Sequence, residues 1–290
     1  MYYFSIFRVF FKIRERVYID NQFIFYFIKT IEERFKVKVC SFKNGICKEC
    51  YLKDICIFPK YFFYDLWYKR PNLFITSPKY LMEELEEDKK FKIDFVMLNE
   101  GVDSFRIFLE AIQGVCKDPN FKNLIYKEVY GYNIFSDTLE KLDLLKPFPK
   151  YDINEFLNLR SGVRKIKIKI YPTFVDFKYS DEPSNDFIKF LLFSLFSERV
   201  KSLTGKDISL THFLSELDFK VLNWKSFEYK DFMINNEIEK FDNHKFFKGE
   251  FLIEGDLSPI WYVFELVQTF SIGKLTNYGF GKVKIIKFEI

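Results

Sequence analysis

Apolar and polar residues along the chain alternate with two different periods, and the order in which those periods occur predicts a fold. Tyr3 to Lys12 is apolar and aromatic with scattered polar positions, as a strand requires. Phe23 to Phe35 is densely apolar and long enough for a helix, with Asp20 or Asn21 placed to cap it. After a cysteine-bearing loop from Cys40 to Cys56, Phe91, Ile93 and Phe95 alternate with Lys92 and Asp94 in a second strand, Phe91 to Leu98. Asp103 or Ser104 then opens a helix to about Val115, and Leu124 to Tyr132 forms another strand. The second half repeats the order. Arg164 to Ile170 places Lys165, Lys167 and Lys169 on one face of a strand and Ile166, Ile168 and Ile170 on the other. A helix from Ser184 to Leu203 follows, then strands at Val221 to Tyr229 and Phe247 to Ile253. Ser258-Pro259 starts a helix, because serine caps and proline suits the first helical position. That helix runs to about Ser271, and Lys282 to Ile290 closes the chain as a strand.

This order is the split βαβ arrangement, twice. The expected fold is α+β: two tandem ferredoxin-like (RRM-like) domains, each an antiparallel sheet with helices on one face. The domains are expected over residues 1–155 and 156–290, with the break between Pro147 and Arg160, where Lys146-Pro147-Phe148-Pro149 interrupts regular structure. The repeat is one of element order; no residue-level repeat accompanies it.

Composition adds an aromatic excess, 39 Phe and 18 Tyr among 290 residues. Most must be core, and a few exposed rings would suit base stacking. A net charge of +4, from 45 basic and 41 acidic residues, is mild, so a nucleic-acid partner has to be argued from placement. No run of about 18 uncharged apolar residues is present, which argues against a membrane span. The opening Met1-Tyr2-Tyr3-Phe4 lacks the charged start and apolar run of a secretory signal, so a cytoplasmic location is expected.

Two motifs carry chemistry. The first is the glycine-bearing stretch Gly273-Lys274-Leu275-Thr276-Asn277-Tyr278-Gly279-Phe280-Gly281-Lys282, between the last helix and the last strand. Dinucleotide-binding and Walker loops run from strand to helix, the opposite order. Glycines still allow close approach to a phosphate backbone, flanking Lys274 and Lys282 can neutralise it, and Tyr278 and Phe280 offer ring faces to bases. A purely structural turn is the alternative. The lysines of Arg164 to Ile170 are a second candidate for tracking phosphates, against the alternative of a solvated sheet face. The other motif is Cys40, Cys47, Cys50 and Cys56, spaced C-x6-C-x2-C-x5-C. Clustered thiols in a reducing compartment suggest a metal, and the C-x2-C pair fits tetrahedral zinc, with Lys43, Lys48 and Lys53 nearby to stabilise thiolates. An iron–sulfur cluster and a metal-free loop are the other readings. Cys116 stands alone, as buried apolar cysteines do.

The glycine-bearing loop resembles that of the repeat-associated mysterious protein superfamily of CRISPR systems, and within it the repeat-processing endoribonucleases. The resemblance extends to Gly249-Glu250-Phe251-Leu252-Ile253-Glu254-Gly255-Asp256-Leu257, to Tyr171-Pro172-Thr173-Phe174 with the long helix after it, and to Trp224. It covers the C-terminal half well and the N-terminal half mainly in element order and the cysteine loop. Where many relatives have arginines and a serine after the tryptophan, this chain has Tyr229-Lys230-Asp231-Phe232.

The resemblance implies a metal-independent endoribonuclease that cuts CRISPR repeat RNA by attack of the 2′-hydroxyl on the adjacent phosphate. The products are a 2′,3′-cyclic phosphate and a 5′-hydroxyl. It also implies the alternative of a non-catalytic RNA-binding subunit partnered with other subunits of a CRISPR interference complex. In neither case is a cofactor needed for catalysis; any zinc is structural. The family's catalytic histidine belongs to the first domain, and this chain's two histidines, His212 and His244, lie in the second half and have the character of surface residues. In its place the resemblance points to Lys29 and Tyr26 on the first helix, with Lys274. The expected RNA contacts are Lys165, Lys167, Lys169, Gly273, Thr276, Asn277, Tyr278, Gly279, Gly281 and Lys282.

Overall fold

The structure, a computed structural model, describes residues 2–42, 46–64, 71–79, 81–174, 184–208, 210, 215–228 and 245–288. The chain divides into two compact units: Tyr2–Tyr151 with Asn277–Gly279, and Asp152–Thr276 with Phe280–Ile290.

The N-terminal unit begins with β1 (Tyr3–Ile13), β2 (Val17–Ile19), α1 (Asn21–Val39) and α2 (Ile57–Phe62). It continues with β3 (Phe74–Pro78), β4 (Glu83–Leu85), β5 (Lys90–Leu98), α3 (Glu100–Asp103), α4 (Phe105–Val115), β6 (Leu124–Asn133) and β7 (Thr138–Lys141). A two-residue strand, β8 (Tyr151–Asp152), also joins β1. The main sheet runs β3-β5-β1-β6-β7, with β1 antiparallel to β5 and β6, and β3 antiparallel to β5. Alternation along β1 sends Phe7 and Phe11 to the helical side, where Phe7 stacks on Phe105 of α4 at 3.6 Å and Phe11 meets Phe27 of α1 edge-on. Asp20 caps α1 as expected, its carboxylate accepting from the Phe23 amide at 2.7 Å.

The C-terminal unit comprises β9 (Lys165–Phe174), α5 (Asn185–Thr204), β10 (Asp218–Glu228), β11 (Lys245–Glu254), α6 (Trp261–Phe270) and β12 (Val283–Lys287). Its sheet runs β10-β11-β9-β12, antiparallel throughout. Ile166, Ile168 and Ile170 of β9 are buried, and the lysines between them are not. Ser184 caps α5 by accepting from the Phe187 amide, and Gly205, at φ 71°, ends it in the left-handed conformation. Ser258-Pro259 forms a 3-10 turn, and the α-helix proper starts at Trp261.

In each unit the four principal strands lie in the order second, third, first, fourth, with a helix after the first and after the third. This is the ferredoxin-like order, so the α+β fold with antiparallel sheets is the observed one. Sequence reasoning missed β3. Its five residues are all buried, so the strand shows none of the apolar–polar alternation that reveals a half-buried one.

No helix among the described residues is long and apolar enough to cross a membrane.

Candidate nucleic-acid interface

The glycine-bearing loop is not an open cradle. Leu275, Thr276, Asn277, Tyr278, Phe280 and Gly281 are all buried. The glycines are explained by the protein's own packing. A Cβ on Gly281 would lie 1.8 Å from the Ile272 carbonyl oxygen, and one on Gly273 2.5 Å from the Phe174 carbonyl oxygen. Both glycines, and Gly279, have positive φ, which an L side chain resists. Three of the loop amides are bonded internally: Lys274 donates to Phe174, Phe280 to Leu275, and Gly281 to Pro172.

Asn277–Gly279 belong to the N-terminal unit. The Asn277 carbonyl accepts from the Thr76 hydroxyl at 2.5 Å, and the Tyr278 ring packs beside Phe25 and Phe62. Its hydroxyl donates to the carboxylate of Glu32, which is itself 2% exposed. The expectation that Thr276, Asn277, Tyr278, Gly279 and Gly281 touch RNA is therefore corrected. Buried residues present no surface to RNA: the Tyr278 ring has no accessible face for a base, and the Gly281 amide is already bonded to the Pro172 carbonyl. Phe280 is corrected on the same ground. Of the loop, only Gly273, Lys274 and, at its end, Lys282 keep partial exposure.

On α1, Tyr26 is 45% exposed, and its neighbour Lys29 is only partly so. Lys29 forms an ion pair with Glu32 at 3.4 Å, so the same carboxylate holds both the Lys29 ammonium and the Tyr278 hydroxyl. Lys274 lies in the other unit. His212, His244 and the stretch Tyr229 to Phe232 lie outside the described residues.

Lys165, Lys167 and Lys169 do share one face of β9, but β11 brings carboxylates against them. Lys165 pairs with Glu254 at 2.9 Å, and Glu250 takes both Lys167 at 2.6 Å and Lys169 at 3.8 Å. The hydrogen bond from Lys167, aided by the charge of Lys169, holds the Glu250 carboxyl below its usual range. The other side of β9 differs. Lys284 of β12 lies opposite Lys169, and the Tyr171 amide donates to the Lys282 carbonyl. The half-exposed Tyr171 ring has the Lys169 ammonium 5.2 Å from its centre and that of Lys282 at 5.4 Å. No acidic residue stands within β12. The seam between β9 and β12 is thus an aromatic ring among cations, the combination that holds a nucleotide chain. Sequence reasoning missed Tyr171 and Lys284. The register that aligns β12 with β9 is what brings them beside Lys169.

The outer face of the N-terminal sheet carries charge in another form. Arg8 of β1 makes a two-pronged ion pair with Asp94 of β5, at 2.7 and 2.9 Å, and lies 3.9 Å over the Tyr132 ring. Lys79 adds a second cation to Asp94 at 3.0 Å. Both Arg8 and Asp94 are buried. Burial alone would lower the Arg8 pKa, and Asp94 more than offsets it, so the net shift is upward. Burial, with Asp137 as hydrogen-bond partner, pushes the Tyr132 hydroxyl up to about 12. This cluster is internally satisfied.

The cysteines occupy the joints of their loop. Cys40 caps the end of α1, Cys47 and Cys50 bracket a 3-10 turn, and Cys56 caps the start of α2. Burial raises the Cys56 thiol pKa, and the neighbouring Cys40 and Cys50 raise it further. Among the described residues, no three His, Cys, Asp or Glu side chains are already drawn together as a metal site.

Comparison with solved structures accounts for this architecture. Thermus thermophilus Cas6 matches with a TM-score of 0.53 and 10% identity over 99% of both chains. The chain has the Cas6 fold. A Cas6 in a substrate mimic complex matches with a TM-score of 0.51 at 10% identity, over 98% of this chain and 99% of that one. A partial Cas6-RT-Cas1–Cas2 complex matches with a TM-score of 0.57 at 9% identity, over 99% of this chain and 46% of the larger one. No protein-family model matches the chain, and no curated protein matches it by sequence. At these identities the likeness to Cas6 is one of fold.

Proposed function

We propose that this chain binds CRISPR repeat RNA and cleaves it. The observation that carries the proposal is the Cas6 fold along 98% of this chain and 99% of a Cas6 in complex with a substrate mimic. The surface that supports it is the seam of Lys169, Tyr171, Lys282 and Lys284, where the cations lie along a phosphate chain and the ring meets a base. In the cleavage step the 2′-oxygen bonds to phosphorus and loses its proton to a base. The bond from phosphorus to the 5′-oxygen breaks, and that oxygen takes up a proton. A 2′,3′-cyclic phosphate and a 5′-hydroxyl result. Holding the attacking hydroxyl in line supplies much of the rate, and cations on the phosphate supply more. In this reading Tyr26 exchanges a proton, and Lys29 and Lys274 supply positive charge.

A second reading has its own support. The Lys29 ammonium is held by Glu32 rather than presented alone, and no histidine stands on α1. A protein with these features can bind repeat RNA as a subunit of a CRISPR interference complex without cutting it. Labelled repeat RNA incubated with the protein and a chelator separates the two. Cleavage with a cyclic phosphate end, blocked by a single 2′-deoxy substitution at the cut, supports the nuclease. Salt-sensitive binding with no cut supports the subunit. Cleavage left intact by both Lys29→Ala and Lys274→Ala, with binding retained, removes those residues from the mechanism.

A further inference from the structure

Along α5, Leu192, Leu195, Phe196, Arg199 and Leu203 fall three or four residues apart and are all buried. One position of this otherwise apolar stripe is therefore a charge. Taking a guanidinium out of water is costly unless it is hydrogen-bonded, and a leucine would fill the position without that cost. What Arg199 reaches accounts for its presence.

Its Nη2 donates to the Gly273 carbonyl at 2.7 Å. That carbonyl and the Lys274 amide belong to one planar peptide unit and point to opposite sides of the chain. The Lys274 amide donates to the Phe174 carbonyl at 3.2 Å, where Phe174, at the end of β9, and Lys274 form an isolated antiparallel bridge. The peptide unit between Gly273 and Lys274 is thus held from both sides, by the helix through Arg199 and by the sheet through Phe174. Phe174 is itself fixed, buried with its ring 5.2 Å from that of Phe246.

The hold has a consequence because of the two residues it joins. Gly273, at φ 69°, has no Cβ, so its own torsions resist a turn of the peptide plane less than those of any other residue would. The next side chain is Lys274, which keeps partial exposure. A turn of that plane would re-aim the Lys274 side chain and break both hydrogen bonds at once. The guanidinium also sets a positive charge against the loop, which adds to its attraction for phosphate.

We propose that Arg199 is a positioning residue for Lys274. It fixes the peptide unit from which Lys274 departs, so that the ammonium is presented to the phosphate in one orientation. The inference rests on the reading that Lys274 supplies positive charge to RNA. Arg199 acts through Lys274 and not by contact with RNA, because it is buried.

The test is a cycle of variants in the full chain, Arg199→Met, Lys274→Ala and the two together, read by single-turnover cleavage of repeat RNA. Arg199→Met is expected to slow cleavage about tenfold, and to add less than about twofold when Lys274 is already alanine. Arg199→Lys keeps the charge and a donor and is expected to recover most of the rate. If the chain binds repeat RNA without cutting it, the same cycle is read on affinity. Two effects that simply multiply give Arg199 a purely structural part and overturn the proposal.

Amide hydrogen exchange without RNA reads the hold itself. The Lys274 amide is expected to exchange about tenfold faster in Arg199→Met, with the amides of β11 unchanged. Unchanged exchange in a chain that cuts RNA sinks the hold and leaves the proposed function standing. Faster exchange in a chain that neither binds nor cuts RNA sinks the proposed function, and with it the role given to Lys274. Should Arg199→Met fail to fold, Arg199→Gln takes its place. Failure of both, and of Arg199→Lys, makes Arg199 a residue of stability alone and overturns the proposal.

Discussion

The two sheets have the same strand order, and one cluster of cations on each is held in the opposite way to the other. On the N-terminal sheet, Arg8 is buried, clasped by Asp94 and roofed by Tyr132. On the C-terminal sheet, Lys169 and Lys282 lie over the half-exposed Tyr171 ring, Lys284 lies opposite Lys169, and all three lysines stay partly or fully exposed. A buried pair is committed to its partner, because separating it strands a charge away from water. An exposed lysine is stabilised little by its ion pair and can be recruited elsewhere at small cost. Topology repeats between the halves, and the way these two clusters hold their cations does not.

The sharpest way to break this contrast is Arg8→Ala. It leaves Asp94 buried with only the lysines Lys79 and Lys92 as cationic neighbours in the cluster, and is expected to lower stability by about 3 kcal/mol in denaturant titration. A change of under about 0.5 kcal/mol would mean that Arg8 is as dispensable as a surface residue. The mirror experiment is the double change Lys169→Ala with Lys284→Ala. Stability is expected to stay within about 0.5 kcal/mol. The dependence of log affinity for single-stranded repeat RNA on log salt is expected to become shallower by about 1.4, from about 0.7 for each phosphate that no longer meets a lysine. An unchanged slope would take RNA off this seam. Glu250→Gln refines the picture with the smallest effect. It releases Lys167 and Lys169, so RNA is expected to bind a few-fold more tightly, measured at fixed salt. The same change tests the acid limb. Glu250 titrates below its unfolded value, so its contribution to stability is present above the ordinary carboxylate range and is lost as pH falls through its depressed pKa. Wild type should therefore lose more stability than Glu250→Gln below about pH 4.5.

How far the sequence revealed this molecule depended on range. Features set by neighbouring residues were legible: the Asp20 cap on α1, the Ser184 cap on α5, and the alternation of Ile166, Ile168 and Ile170 with lysines along β9. Features set by distant residues were not. Arg8 and Asp94 are 86 positions apart, and nothing local marks them as a pair. The glycine-bearing loop shows a different limit. A glycine needed for approach to a phosphate and one needed for approach to the protein's own carbonyl look the same in sequence. Only the 1.8 Å that a Cβ on Gly281 would leave to Ile272 tells them apart. Tyr278 likewise read as an offered ring, and is a core residue hydrogen-bonded to Glu32. The β9–β12 seam stayed hidden because it depends on pairing between strands far apart in the chain.

Asn277–Gly279 belong to a unit whose other residues end at Tyr151. During synthesis, the ribosome must therefore add roughly 125 further residues, Asp152 to Thr276, before Tyr278 exists to settle beside Phe25 and Phe62. At about 5–20 residues per second, the first unit waits about 6–25 s with that place in its interior unfilled. Its final closure therefore comes late, after most of the second unit has been made.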